Sequence, residues 1–329
     1  TYPAANEARI AYARVLIGDH QNDLAKEQLQ VLLDKNPDDA EIMLAIGLLA
    51  TEMGDFDITE ISFKKALNLE YKDPNAIHFH LAQIYEETDR PDLAMESYQM
   101  VKSGARYLPA QIRYADLLAM KGYLKAAREH LQKLPAANDQ QTAHLILAEA
   151  QILRRSKAHQ EVYELLDNGL KKLPDYPELL YDRALTADKL GKFNILEQDL
   201  RKLIKLKPDS AHAYNALGYS FAERGIQLPE ALKLIRKAVE LSPEDPYIMD
   251  SLGWVYYRMG NVVEGLNYLN LAFAARPDPE IAAHLGEVLW VNGSKENAKN
   301  IWRAALEKEP DNEVLLKTVQ RFIKKKVID

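Results

Sequence analysis

The sequence predicts an all-α fold, a solenoid of antiparallel helix pairs with a C-terminal capping helix, on three observations. A pattern of small, aromatic and turn-forming residues returns about every 34 residues, the length of one helical hairpin. A proline follows the second half of the clearest patterns, where it ends one helix and resets the chain for the next. The 47% apolar content is spread along all 329 residues, as expected when each short unit buries a face against its neighbours instead of building one central core.

The clearest unit carries Leu217–Gly218, Phe221, Gly225, Ala231, Ile235, Ala238 and Pro243. The next carries Leu252–Gly253, Tyr256, Gly260, Gly265, Leu269, Ala272 and Pro277, and a third carries Leu285–Gly286, Leu289, Gly293, Ala298, Trp302, Ala305 and Pro310. Each position has a physical task. Gly218, Gly253 and Gly286 fall inside a first helix, where glycine costs helix propensity and is explained by close approach of a second helix. Gly225, Gly260 and Gly293 follow at a helix end, where a positive φ is needed. The alanines offer small contact surfaces on the second helix.

This grammar resembles the tetratricopeptide repeat family over nearly the whole chain. The resemblance implies a right-handed superhelical solenoid, with units at about 6–39, 40–74, 75–107, 108–142, 143–176, 177–210, 211–245, 246–278 and 279–312 within a single domain, 1–329. The earlier units keep part of the pattern: Ala25 and Pro37; Gly47, Gly54, Phe63 and Ala66; Leu81–Ala82, Tyr85 and Ala94; Ala115, Gly122, Ala127 and Leu131. The stretch 135–160 is the weakest, because Pro135–Asp139 reads as a loop and Lys157 stands where a turn glycine is expected. Extra residues near Tyr71–Pro74 and Gly225–Pro229 lengthen turns at little entropic cost. A terminal helix near 313–326 is expected to pack Leu315, Leu316, Val319, Phe322 and Ile323 inward and leave Lys317, Arg321 and Lys324–Lys325–Lys326 wet, as a cap should.

Composition narrows the chemistry. With 42 Lys plus Arg against 49 Asp plus Glu the formal charge is -7, which gives no global footprint for nucleic acid or an anionic membrane. Without cysteine there are no disulfides and no thiolate chemistry, and redox usage leaves cytoplasm and periplasm equally open. No apolar run reaches the length of a spanning helix, so the visible chain is expected to be soluble and not inserted in a membrane. The chain begins Thr1–Tyr2–Pro3 rather than with Met, which points to processing or trimming and leaves a native leader or anchor open.

His78 and His80 are two apart, which splays them around a helix, and no metal site is expected. His284 and Glu287 share a helical face, where a hydrogen bond or repeat contact is the expected role. Glu86–Glu87 and Glu307–Glu309 read as solvated charge. No phosphate loop, metalloprotease or nucleophile-elbow motif occurs, so neither catalytic residues nor cofactors are expected.

In the resembling family, first helices line a concave groove. Counting from the unit starts places Asn215, Tyr219, Asp250, Trp254, Tyr257, Glu287 and Trp290 on or near it. Tyrosine and tryptophan give rigid area with a polar edge, and the amide and carboxylates orient a peptide backbone or basic side chains. Each ring is also suited to filling a repeat interface. The branch that clamps an acidic chaperone C-terminus uses a basic set, which the positions Asn215, Tyr219, Asp250 and Trp254 lack, so another protein surface or apolar peptide is expected.

A closer resemblance lies in Asp250–Ser251–Leu252–Gly253–Trp254–Val255–Tyr256–Tyr257 and Ala283–His284–Leu285–Gly286–Glu287–Val288–Leu289–Trp290. These look like the last repeats of proteobacterial lipoproteins held at the periplasmic face of the outer membrane. That resemblance implies a non-enzymatic adaptor that binds and activates a carboxyl-terminal processing protease and delivers cell-wall hydrolases to it. The alternatives are a structural organiser of a cell-envelope complex, and the regulatory part of a larger protein. Outside the resemblance, a soluble cytoplasmic location is the default.

Overall fold

The computed structural model describes residues 3–323. The lysines 324–326, assigned above to the wet face of the tail, lie outside the described residues. The described residues form nineteen α-helices in two compact units, Thr1–Lys157 and Ala158–Asp329. The first holds α1 (Pro3–Gly18), α2 (Asn22–Lys35), α3 (Ala40–Glu52), α4 (Phe56–Asn68), α5 (Pro74–Glu87), α6 (Pro91–Met100), α7 (Tyr107–Met120), α8 (Leu124–Lys133) and α9 (Asp139–Arg155). The second holds α10 (His159–Lys172), α11 (Pro177–Lys189), α12 (Phe193–Leu206), α13 (Ala211–Arg224), α14 (Leu228–Leu241), α15 (Pro246–Arg258), α16 (Val262–Ala275), α17 (Pro279–Val291), α18 (Lys295–Lys308) and α19 (Glu313–Phe322).

Each unit is a right-handed, all-α solenoid of antiparallel pairs. In the first, α1 packs on α2, α3 on α4, α5 on α6 and α7 on α8; in the second, α11 packs on α12, α13 on α14, α15 on α16 and α17 on α18. The stretch 143–176 is divided between them, with α9 ending the first unit and α10 opening the second.

The turn between helices passes through a left-handed residue every 33 to 35 positions: His20, Gly54, Asp89, Gly122, Lys157, Gly191, Gly225, Gly260 and Gly293. Lys157, the suspect position of the weakest stretch, takes φ 56°. Side chains at His20, Asp89 and Lys157 therefore carry a conformational cost that glycine avoids. Helix starts are fixed by capping carboxylates and prolines. Asp245 accepts the N–H groups of Tyr247 and Ile248 at 2.8 and 3.2 Å, and Pro246 follows it at the start of α15. The prolines at 243, 277 and 310 lie two residues beyond the ends of α14, α16 and α18, where they cannot interrupt a helical hydrogen bond.

Close pairing explains the internal glycines. A Cβ on Gly253 would stand 2.7 Å from Leu269 Cγ and 2.9 Å from the Gly265 carbonyl oxygen, so α15 and α16 touch almost backbone to backbone. Ion pairs also tie helices together. Arg183 on α11 grips Asp199 on α12 through two hydrogen bonds of 2.8 and 2.7 Å, and reaches Asp167 on α10 at 2.6 Å.

In the tail, Leu315 and Val319 are buried and Phe322 and Ile323 half-buried, against Trp290 and Trp302. Lys317 and Arg321 are exposed, as expected of the wet face, and Arg321 in addition crosses to Glu287 on α17. The reason is that α19 packs on α17 first helix to first helix, as α15 packs on α13, so one of its faces continues the inner face of the repeats.

Candidate functional site

The first helices α13, α15, α17 and α19 bring one register position into a row. Tyr219, Trp254, Glu287 and Arg321, spaced 33 to 35 residues apart, all line a cleft of about 860 Å³. Glu223, Tyr257, Arg258, His284, Lys317 and Thr318 also line it, with Gly260 and Val314.

Trp254 is only 3% exposed. Its ring stacks on His284 with centroids 4.2 Å apart at 23°, Tyr257 leans on it at 5.2 Å, and the Arg258 guanidinium lies 5.7 Å from its centre. The indole N–H donates to Glu223 Oε2 at 2.9 Å. It therefore offers the cleft an edge and serves mainly as packing. Tyr219 and Tyr257 remain half-buried.

Behind the rings lies an ionic relay between helices. His284 Nδ1 stands 2.7 Å from Asp250 Oδ2, and its Nε2 stands 3.3 Å from the Tyr219 hydroxyl. Burial by itself drives the imidazole toward neutrality, yet the Asp250 carboxylate outweighs it, aided by Glu223 and Glu280, and raises the His284 pKa. In its protonated form the imidazole donates to Asp250 and to the Tyr219 oxygen. Burial, then the charges of Glu223 and Asp250, push the Tyr219 phenol well up, keeping it protonated. Glu287 takes the Tyr257 hydroxyl at 3.4 Å on one oxygen and Arg321 on the other.

Of the seven residues read from the sequence, Tyr219, Trp254, Tyr257 and Glu287 meet in this cleft, and Asp250 stands behind it, 6% exposed, holding His284. Asn215 and Trp290 are not brought there. Asn215 is half-buried on α13 with its Oδ1 enclosed and lacking a donor among the described residues. Trp290 lies in the seam of α17, α18 and α19, stacked on Trp302 at 5.7 Å and beside Phe322 at 6.1 Å, because α19 covers it.

His284, Glu223, Arg258, Lys317 and Arg321 were missing from the sequence reading of the groove. Carrying the period one step past α17 puts Lys317 and Arg321 in register with Asp250 and Trp254, a signal obscured because α19 has no internal or turn glycine. The basic set judged absent from α13 and α15 is thus partly supplied by α19.

Residues 181–246 match the tetratricopeptide repeat family. Within that stretch the chain carries tetratricopeptide repeats. It is 38% identical over 213 residues to a TPR repeat-containing protein of Pseudomonas aeruginosa, covering 65% of this chain and 36% of that protein. Cellulose synthase operon protein C of Pseudomonas fluorescens is 24% identical over 266 residues, covering 75% of this chain and 20% of that one. The chain thus spans about a third and a fifth of the length of these two relatives. A solved tetratricopeptide repeat protein from Parabacteroides merdae shares the fold, with a TM-score of 0.52 at 17% identity over 85% of this chain and 97% of that one. Among the described residues no group of three or more His, Asp or Glu is placed to hold a metal, and no helix is long and apolar enough to cross a membrane.

Proposed function

We propose that this chain is a non-catalytic adaptor that holds a partner protein by an extended segment laid in the cleft of α13, α15, α17 and α19. The observation that carries this reading is the pair of half-buried phenols, Tyr219 and Tyr257, lining an open cleft of about 860 Å³ whose hydrogen-bonding groups are fixed by one another. Preorganised tyrosines give a partner apolar area at low entropic cost. Trp254 supports the wall from behind.

The two eight-residue stretches at 250–257 and 283–290 support a narrower reading. In it, the native protein sits at the periplasmic face of the outer membrane, binds and activates a carboxyl-terminal processing protease, and helps deliver cell-wall hydrolases to it. Affinity capture from a Gram-negative periplasmic extract, with the wild-type chain and Tyr257→Ala in parallel, tests both levels. Recovery of a protease with its hydrolases, reduced by Tyr257→Ala, is the expected result. Stable envelope-assembly components alone would favour a structural organiser instead, and equal capture by both chains would remove the cleft from the interaction.

A further inference from the structure

We propose that α19 is a selective binding element, in which Lys317 and Arg321 choose a partner segment bearing an aspartate or glutamate side chain while Tyr257 takes an apolar residue of the same segment. This rests on the cleft being the partner site.

The charges in the cleft do not balance. Arg258 donates to the Glu223 carbonyl at 2.7 Å and stands 4.0 Å from its carboxylate, so these two offset each other. Asp250 is held by His284, which matches its charge when protonated. Glu287, with a side chain 9% exposed, is matched by Arg321. Lys317 is exposed and has no carboxylate partner among the described residues. Lys317 and Arg321 are four apart on α19, hence neighbours on one face, and like charges at that spacing repel. The one enclosed carboxylate of the cleft, Glu287, is taken by Arg321 and the Tyr257 hydroxyl.

An incoming carboxylate relieves that repulsion. The Arg321 side chain is 57% exposed, which leaves guanidinium donors beyond those facing Glu287, and its planar fork suits a carboxylate. A basic segment is offered less, because Glu287 is enclosed and Glu223, though its side chain is 50% exposed, already takes the Trp254 indole N–H and stands 4.0 Å from Arg258. A side-chain carboxylate fits better than a chain terminus. A terminal carboxylate calls for clustered backbone N–H groups or for a basic and asparagine-rich clamp; the N–H groups around Lys317 belong to the interior of α19 (Glu313–Phe322), and no asparagine is among the described residues lining the cleft.

The test is selection of a random dodecapeptide library, displayed inside a carrier loop with both ends tethered, against the full chain. The expected outcome is enrichment of Asp or Glu near an apolar residue. An enriched peptide should lose about tenfold in affinity with Lys317→Glu, and a similar amount as salt rises from about 50 to about 300 mM. Arg321→Lys, which keeps a cation for Glu287, should weaken binding without shifting the melting temperature. The proposal is overturned by enrichment of Lys or Arg, by no enrichment, by enrichment only in a library with free C-termini, or by unchanged affinity in Lys317→Glu. Tyr257→Ala separates the two levels. Loss of affinity there but not in Lys317→Glu keeps the cleft and removes the charge selection; no loss in either removes both.

Discussion

At the scale of single residues, depth within the cleft decides whether a ring serves folding or binding. Trp254 is 3% exposed and enclosed by His284, Tyr257 and Arg258, so Trp254→Ala should cost about 3–5 kcal/mol in urea melts. Tyr257, half-buried, should cost clearly less when replaced by alanine and should lose partner affinity first. A double change of both residues would therefore confound the two effects, and the sequence was silent on this because helical register gives direction, not depth. His284 adds a pH dependence. Its pKa is raised in the fold against burial by Asp250, while the unfolded imidazole titrates near about 6.5. The contribution to stability is thus complete below about 6.5 and is lost as pH rises through the higher folded value. Urea midpoints should fall between mildly acidic and mildly alkaline buffer, and His284→Gln should flatten that part of the profile. The Asp250–His284 contact joins neighbouring helices 34 residues apart, which local spacing does not announce.

At the scale of helix pairs, glycine acts in two physically separate ways, and substitution tells them apart. Gly260 has φ +87° with nothing within 4 Å of an added Cβ, so Gly260→Ala should cost about 1 kcal/mol through backbone conformation alone. Gly253 has an ordinary helical φ but would press a Cβ into Leu269 and the Gly265 carbonyl. Gly253→Ala should therefore cost about 1–3 kcal/mol or more by forcing α15 from α16. Conversely, His20→Gly should stabilise the first unit by about 0.5–1 kcal/mol, since His20 holds φ 59° with a side chain. Thermal melts of the three variants check the ordering. These positions also explain why the repeats were legible. A turn glycine marks the register wherever it occurs, as at Gly225, Gly260 and Gly293, whereas His20, Asp89 and Lys157 take the same backbone conformation without that flag. The Arg183–Asp199 tie between α11 and α12 was not legible, because the burial of Asp199 beneath Arg183 arises only from packing.

At the scale of the molecule, stability in a solenoid is a sum of units and nearest-neighbour contacts, so damage should stay local. The tail tests this most directly. α19 covers Trp290 and Trp302 with Leu315, Val319 and Phe322, and it also carries Lys317 and Arg321 into the cleft. Its role in capping was readable from amphipathic spacing. Its role as a wall of the cleft was not, because that follows from packing against α17. Truncation after residue 309 should leave Glu287 without Arg321 and expose the face of α17 and α18. In hydrogen exchange, amides of α17 and α18 should then open at least about tenfold more readily, equivalent to about 1.4 kcal/mol. The effect should fade through α15 and be absent from α11 and α12. Uniform loss of protection across the second unit would instead mean that its repeats open as one body, and that α19 stabilises the whole unit rather than its last pair.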